Sequence, residues 1–410
     1  MKKFRLMPLL GALLITPLLQ AQTPALNGYV RNYTGVLADS GEYAIVQNTV
    51  DMTFSGSLPN GSWYVNPTIY QYPNQPLDIS LTQAYLDLYF SKLDLRLGKQ
   101  QIIWGKSDGV FITDMVTPKD LTEFLLRDFD EIRMGITALK ASYYLGQNTL
   151  EWVWIPTFTP TTQPAAGSLW DARPAFPVPV TWDYSKAPVS EKLENSETFL
   201  RLSALGSRID YALMAGYTWD DDPTPHRFFQ MDPVTHQLTG LTIQPQYHRL
   251  NVLGGSVSSA LGGSVVRSEA ALYQGKYFAT SDPTDMDGVN QQDYLHYLVG
   301  WDFSLGDTRL STQFIQQAIL DHTPDLEQDE FTNTATLLMN RTFLRETLTT
   351  QLFVYYGFEH GDALWRPTVA YDLGDGAEVL LGANWFTGTT GMFGQFDAND
   401  MAYVKVKYSF

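Results

Sequence analysis

Three observations predict an all-β chain closed into a single transmembrane antiparallel barrel. Segments of about ten residues alternate apolar and polar side chains, and tight turns rich in Gly, Asn and Asp join them in pairs. Only 17% of residues are charged while 13% are aromatic. A soluble domain carries about 25% charged residues. A membrane strand instead needs apolar residues toward lipid, aromatics at the interfaces and mostly uncharged polar residues inside.

In chain order, Lys2, Lys3 and Arg5 precede a mostly apolar run from Leu9 to Leu19, followed by small Ala21. This predicts a cleavable export signal over residues 1–21, with the barrel occupying 22–410. The run is too short to cross a bilayer, and no later stretch approaches the ~18 consecutive apolar residues of a helical span. The chain has no cysteine, which excludes thiol catalysis and thiolate metal sites and suits passage through an oxidising periplasm. The formal net charge of −17 becomes about −20 without the three basic leader residues. Such a chain lacks the basic patch that nucleic acid demands. Its acidic loops would face lipopolysaccharide through divalent cations.

Strands are predicted at 28–37, 47–58, 63–71, 79–90, 93–104, 136–144, 149–158, 197–206, 208–219, 246–260, 264–277, 293–304, 308–319, 331–343, 347–358, 364–373, 377–388 and 401–410. That is about eighteen, an even number as single-chain bacterial barrels require. The tight turns contain Pro59-Asn60-Gly61-Ser62, Ser91-Lys92, Leu145-Gly146-Gln147-Asn148, Gly206-Ser207, Leu261-Gly262-Gly263, Leu305-Gly306-Asp307 and Leu373-Gly374-Asp375-Gly376. An eighth, near Leu344 to Glu346, lacks Gly. With both ends in the periplasm, every tight turn falls on the periplasmic side and every longer loop outside.

Period-two alternation assigns faces. Thr82, Ala84, Leu86, Leu88 and Phe90 point toward lipid, and Gln83, Tyr85, Asp87 and Tyr89 toward a wet lumen. Val50, Met52, Phe54 and Leu58 are outward against Thr49, Asp51, Thr53, Ser55 and Ser57. In the last strand Ala402, Val404, Val406, Tyr408 and Phe410 share one face, with Tyr403, Lys405, Lys407 and Ser409 on the other. Tyr408 and the terminal Phe410 form the expected signal for the barrel-assembly machinery.

A barrel this wide must be narrowed from within or it conducts. The third outer loop, 105–135, is the candidate constriction. Thr117 can cap a helix that starts with Pro118 and Asp120. Leu121, Phe124 and Leu125, with Phe129 beyond, give it an apolar side to pack on the wall. Folded inward, the loop would carry Asp120, Glu123, Arg127 and Asp128 into the channel. Alternation places Arg31, Arg96, Arg201, Arg249, Arg267, Arg309, Arg366 and Lys405 on the opposing wall. An acidic loop facing a basic wall creates a transverse field. Alternatively these cations pair with Asp51, Asp87, Asp94, Asp210, Glu269 and Asp302 and hold the wall together.

Other features point less sharply. The six histidines are His226, His236, His248, His296, His322 and His360, without a Gly-x-Ser-x-Gly or His-Glu-x-x-His pattern. No catalytic residue, metal site or cofactor is expected. The acidic loop around Asp282, Asp285 and Asp287 lacks the downstream Glu of an EF-hand and reads as solvated. The Pro-rich outer loop, 159–196, holds Trp170, Phe176, Trp182 and Tyr184, which either line a vestibule or pack against neighbours.

The run Leu97-Gly98-Lys99-Gln100-Gln101-Ile102-Ile103-Trp104-Gly105-Lys106-Ser107-Asp108-Gly109 resembles the signature of a proteobacterial porin-like outer-membrane family of unknown function. The stretches Val116 to Leu121 and Phe124 to Phe129 resemble its next block. Lys99 stands where that family usually has Arg. A more distant resemblance is to alginate-export-type barrels. The resemblance implies an outer-membrane channel without fixing a solute. The expected function is passive diffusion of small solutes. The rivals are a surface adhesin or structural barrel whose outer loops bind a partner, and a barrel hydrolase. Oligomeric state stays open, because lipid-facing and subunit-facing apolar residues read alike.

Overall fold

The computed structural model describes residues 24–235, 237–282 and 285–410. The predicted export signal, His236, Pro283 and Thr284 lie outside them. Among the described residues, eighteen antiparallel strands form one closed sheet. Successive neighbours are β1 (Ala25–Leu37), β2 (Tyr43–Leu58), β3 (Gly61–Gln71), β4 (Asp78–Tyr89), β5 (Leu93–Gln100), β6 (Ile136–Leu145), β7 (Asn148–Ile155), β9 (Glu197–Ala204) and β10 (Ile209–Trp219). The wall continues through β13 (Arg249–Leu261), β14 (Ser264–Ala279), β15 (Val289–Leu305), β16 (Thr308–Ile319), β17 (Phe331–Phe343), β18 (Leu348–Gly357), β19 (Asp362–Gly374), β20 (Ala377–Thr387) and β21 (Met401–Ser409). β21 pairs back onto β1 from Tyr29↔Ser409 to Leu37↔Met401 and closes the ring. Closure leaves no unpaired sheet edge, which a bilayer would penalise.

The tight turns all gather at one end of the barrel and the longer connections at the other. The Gly-free turn forms too, at a conformational cost. Leu344, Arg345 and Glu346 all take positive φ (52°, 58° and 72°), a region costing L-residues roughly 1–2 kcal/mol each. Outward faces carry apolar and aromatic side chains such as Leu97, Leu213, Leu253, Val299, Trp301, Leu381 and Val406, all well exposed. Tyr408 and Phe410 belong to this outward set, and the Phe410 backbone exchanges both hydrogen bonds with Gly28, each 2.9 Å.

Three departures from the expected pattern have physical causes. β4 carries a register shift opposite Asn66/Pro67. The shift turns Thr82 inward, where it meets the Thr68 hydroxyl at 3.0 Å, and leaves Ile79 and Leu81 outward. β5 stops at Gln100 rather than 104, because the chain there leaves the wall. Outside the barrel wall, β8 (Val180–Trp182), β11 (Thr224–Met231) and β12 (Leu238–Gln246) form a three-stranded sheet in the long loops. Its sequence does not announce it, because Pro225, Asp232-Pro233 and Pro245 interrupt the alternation. β11 and β12 tolerate the prolines because Pro225 and Pro245 face each other near the open end of their hairpin.

Candidate functional site

The segment after β5 enters the barrel. Gly98 makes this exit possible: at φ +125° a Cβ would lie 2.2 Å from the Ala84 carbonyl oxygen. Beyond it, Gln100 is fully buried and donates to the Ala138 carbonyl at 3.0 Å. Gly109 is the point of closest approach to the far wall, where a Cβ would collide with Phe353 and Tyr355. The Tyr355 hydroxyl donates to the Gly109 carbonyl at 3.0 Å.

The third loop is folded inward, as expected, but its internal structure differs. No helix starts at Thr117. The Thr117 hydroxyl instead clamps the two limbs of the loop, accepting from the Ile102 N–H at 2.9 Å and donating to the Ile102 carbonyl at 2.8 Å. Residues 118–120 pair with 132–134 through Met134 N–H to Pro118 O (2.9 Å) and Asp120 N–H to Ile132 O (2.7 Å). A single helical turn, α1, covers Phe129–Ile132. The backbone groups of this segment were thus satisfied by a β-bridge that sequence periodicity does not announce. Asp114 accepts from the Trp104 N–H at 2.8 Å and from Arg133 Nε at 2.7 Å, fixing the hairpin's base.

Two apolar seats hold the loop. Ile102, Trp104, Ile112, Met115 and Val116 pack on inward Ile136, Val153, Phe199, Met214, Leu250, Val252, Leu298 and Ile315. Phe124 packs on Phe386, Phe393 and Phe396 with ring centroids 4.9–6.3 Å apart, so the expected apolar side of the loop exists without the helix. Full burial of a side chain such as Ile112 contributes roughly 1.5–3 kcal/mol.

Polar contacts complete the anchorage. Glu269 accepts from the Lys106 N–H at 2.5 Å and from Thr113. Arg267 pairs with Asp108 and, at 3.1 Å, with Asp302. Arg366 donates to the carbonyls of Leu125 (2.9 Å) and Leu126 (2.8 Å). Lys405 meets Asp128 at 2.9 Å, and Arg31 meets Glu131 at 2.7 Å and Asp128 at 3.5 Å.

The expected basic wall therefore touches the acidic loop rather than facing it across open space. Arg31, Arg267, Arg366 and Lys405 are loop anchors. Arg96 pairs within the wall to Asp87 at 2.7 Å, and Arg201 to Glu151 at 2.8 Å. Arg309 keeps inward parity and is exposed beside a tight turn. Arg249 does not face the lumen. It shares a face with exposed Leu253 and Val257, lies 4.2 Å from the Trp219 ring centroid, and donates to the Ser196 and Glu194 carbonyls. A cation at the rim among aromatics reaches polar groups with its head while its stem lies on apolar surface. On the loop, Arg127 is paired to Asp120 at 2.9 Å and to Glu123 at 3.3 Å.

The open space lies on the other side of the loop. A cavity of about 410 Å³ separates residues 120–135 from the inner faces of β1–β5. Its lining includes Tyr29, Asp51, Thr53, Tyr64, Thr68, Tyr70, Tyr72, Gln83, Lys99, Arg127, Asp130, Glu131 and Arg133. A second cavity of about 270 Å³, lined by Ser55, Ser57, Ser62, Tyr64, Tyr85 and Asp87, adjoins it toward the tight-turn end, sharing Tyr64. Sequence reasoning placed Tyr85 toward the lumen but missed Glu131 and Arg133 in the loop and Tyr29, Tyr64, Tyr70 and Tyr72 on this wall. Inward parity of Tyr64, Thr68 and Tyr70 was the available signal.

The outer loops pack on one another. Trp170 is buried against Phe386 and Phe396, and Arg173 lies over Trp182, which stacks on Tyr184. His226 Nδ1 donates to Asp287 at 2.7 Å, leaving its Nε2 to accept from His248 Nε2 at 2.8 Å. Burial, with the neighbouring His226, pushes the His248 imidazole down to about 4.

Solved structures share this architecture. Pseudomonas aeruginosa OccK2 (OpdF), determined in complex with glucuronate, aligns at TM-score 0.57 with 12% identity, covering 95% of this chain and 98% of that one. Pseudomonas aeruginosa OccK8 (OprE) aligns at 0.56 with 9% identity over 95% and 98%. Acinetobacter baumannii OccAB4 aligns at 0.55 with 8% identity over 95% and 99%. At such identities the likeness is one of fold. No curated protein matches the chain by sequence. Residues 49–410 match the family described as "Protein of unknown function (DUF1302)".

Proposed function

The chain belongs to that family of unknown function, and from the barrel and its internal passage we propose that it is an outer-membrane channel for passive diffusion of small solutes. The observation that carries this reading is the polar cavity between the inward loop and the wall of β1–β5, with a second cavity adjoining it on that wall. An apolar belt outside and a wet, hydroxyl-lined space inside are what a bilayer-spanning pore requires. The barrel fold shared with the OccK structures supports the same reading. In this account residues 1–21 direct export, Tyr408 and Phe410 present the assembly signal, and the tight turns face the periplasm. The long loops face lipopolysaccharide. Asp120, Glu123, Arg127 and Asp128 shape the constriction: Asp120 and Arg127 line the passage, Glu123 holds Arg127, and Asp128 anchors the loop to the wall.

Catalysis has no part in this proposal. The pair of buried His226 and half-buried His248 joins the outer loops, with Asp287 on the far side of His226. Planar-bilayer recording of the refolded protein tests the reading. Stable single-channel steps are expected; electrical silence from a demonstrably folded barrel would refute it.

A further inference from the structure

The passage is not electrically neutral. Its loop side carries Arg127, but that guanidinium is held by two carboxylates, Asp120 and Glu123. Arg133 is matched by Asp114 at 2.6 Å. On the wall side Asp87 is matched by Arg96. Asp51 is different: its carboxylate is held by neutral donors alone, Asn66 Nδ2 at 3.0 Å to each oxygen and the Thr68 hydroxyl at 2.7 Å. These donors fix the group in place without cancelling its charge. Among the described residues, Asp130 and Asp78 also line the cavity without a cation within salt-bridge distance, against a single lining cation without a carboxylate partner, Lys99.

The rings on this wall add to the effect. Tyr64 and Tyr85 stack at 5.1 Å with 12° between planes, and Arg96 already rests over Tyr85 at 3.9 Å from its centroid. The Tyr85 face therefore already holds a cation, Arg96, in the resting protein.

We infer that the passage along β1–β5 is cation-selective, that its solutes are small cations including organic ammonium ions, and that Asp51 is the specificity-determining residue. This rests on the channel reading above. A fixed, unneutralised carboxylate on the wall of a polar cavity attracts cations and repels anions, as rings of Asp and Glu do in cation pores. Lys99 opposes it, so substitutions at the two positions act in opposite directions.

The test is the reversal potential across a planar bilayer under a KCl gradient, then with tetramethylammonium chloride in place of KCl. Wild-type channels are expected to pass K⁺ and tetramethylammonium more readily than Cl⁻. Asp51→Asn should lower the cation-to-anion permeability ratio by about threefold, and Lys99→Gln should raise it by a similar factor. Should Asp51→Asn fail to refold, Lys99→Gln reads the same field with the opposite sign. Open channels that prefer Cl⁻, or a ratio that neither substitution moves, would overturn the inference while leaving the channel standing. Absence of any conductance overturns both.

Discussion

The inner wall of this barrel has two unlike arcs. Along β1–β5 the inward side chains are Tyr29, Asp51, Thr53, Tyr64, Thr68 and Tyr70, and a cavity opens against them. From β6 to β16 the inward positions at loop depth are Ile136, Val153, Phe199, Leu250, Val252, Leu298 and Ile315, and the third loop is pressed onto them. The difference teaches where an internal plug settles. A loop with its own apolar residues seats on the arc that can bury them and leaves the polar arc wet. The barrel is thereby asymmetric, although its strands follow one repeated rule.

The largest expected effect comes from breaking the apolar seat. Ile112→Asp places a carboxylate where exposure is nil. Burying an unpaired charge is untenable there, so the loop should detach and the single-channel conductance rise several-fold. Trp104→Ala removes a side chain packed on Phe199 at 6.1 Å between centroids. It should destabilise the folded barrel by about 3–5 kcal/mol in urea titration. If conductance stays unchanged in Ile112→Asp, the loop is not what narrows the lumen.

Arg366→Ala comes next. It removes the donors to two loop carbonyls and should cost about 2–3 kcal/mol. The expected record is noisier, with brief excursions to higher conductance as the tip of the loop swings free. By contrast, Arg249→Gln alters the outer face and should leave conductance and selectivity as they are.

The smallest effect concerns the outer loops. His248 titrates near 4 in the folded chain, below the ordinary value of about 6.5. As pH falls below 6.5 the unfolded loop binds a proton that the folded loop refuses, so loop stability declines progressively until about pH 4. Above 6.5 it is fully present. Limited proteolysis of the 220–248 segment should therefore be faster at pH 4.5 than at pH 7, with the passage itself unaltered. His248→Gln should flatten that dependence.

The strands were legible because alternation and turn chemistry are local, and each strand repeats the same signal. What was not legible followed from contacts across the barrel. Arg249 was assigned inward because polar-in is the rule for lumens, but β13 is apolar on both faces, with Leu250 and Val252 inward and Leu253 and Val257 outward. Its parity could not be read without knowing that the loop covers that arc. Thr82 was misplaced by a bulge that nothing in residues 79–90 announces. The inward fold of the third loop was readable from its apolar residues, yet Thr117 as a cap was not correct. Its hydroxyl serves Ile102, fifteen residues earlier.

The central claim is that solute moves along β1–β5 and not along the plugged arc. The chain has no cysteine, so single cysteines report position cleanly. Thr53→Cys sits in the passage and Val252→Cys in the apolar seat. A bulky charged thiol reagent applied to open channels in a planar bilayer should block Thr53→Cys and leave Val252→Cys unaffected. Block at Val252→Cys with none at Thr53→Cys would contradict the account.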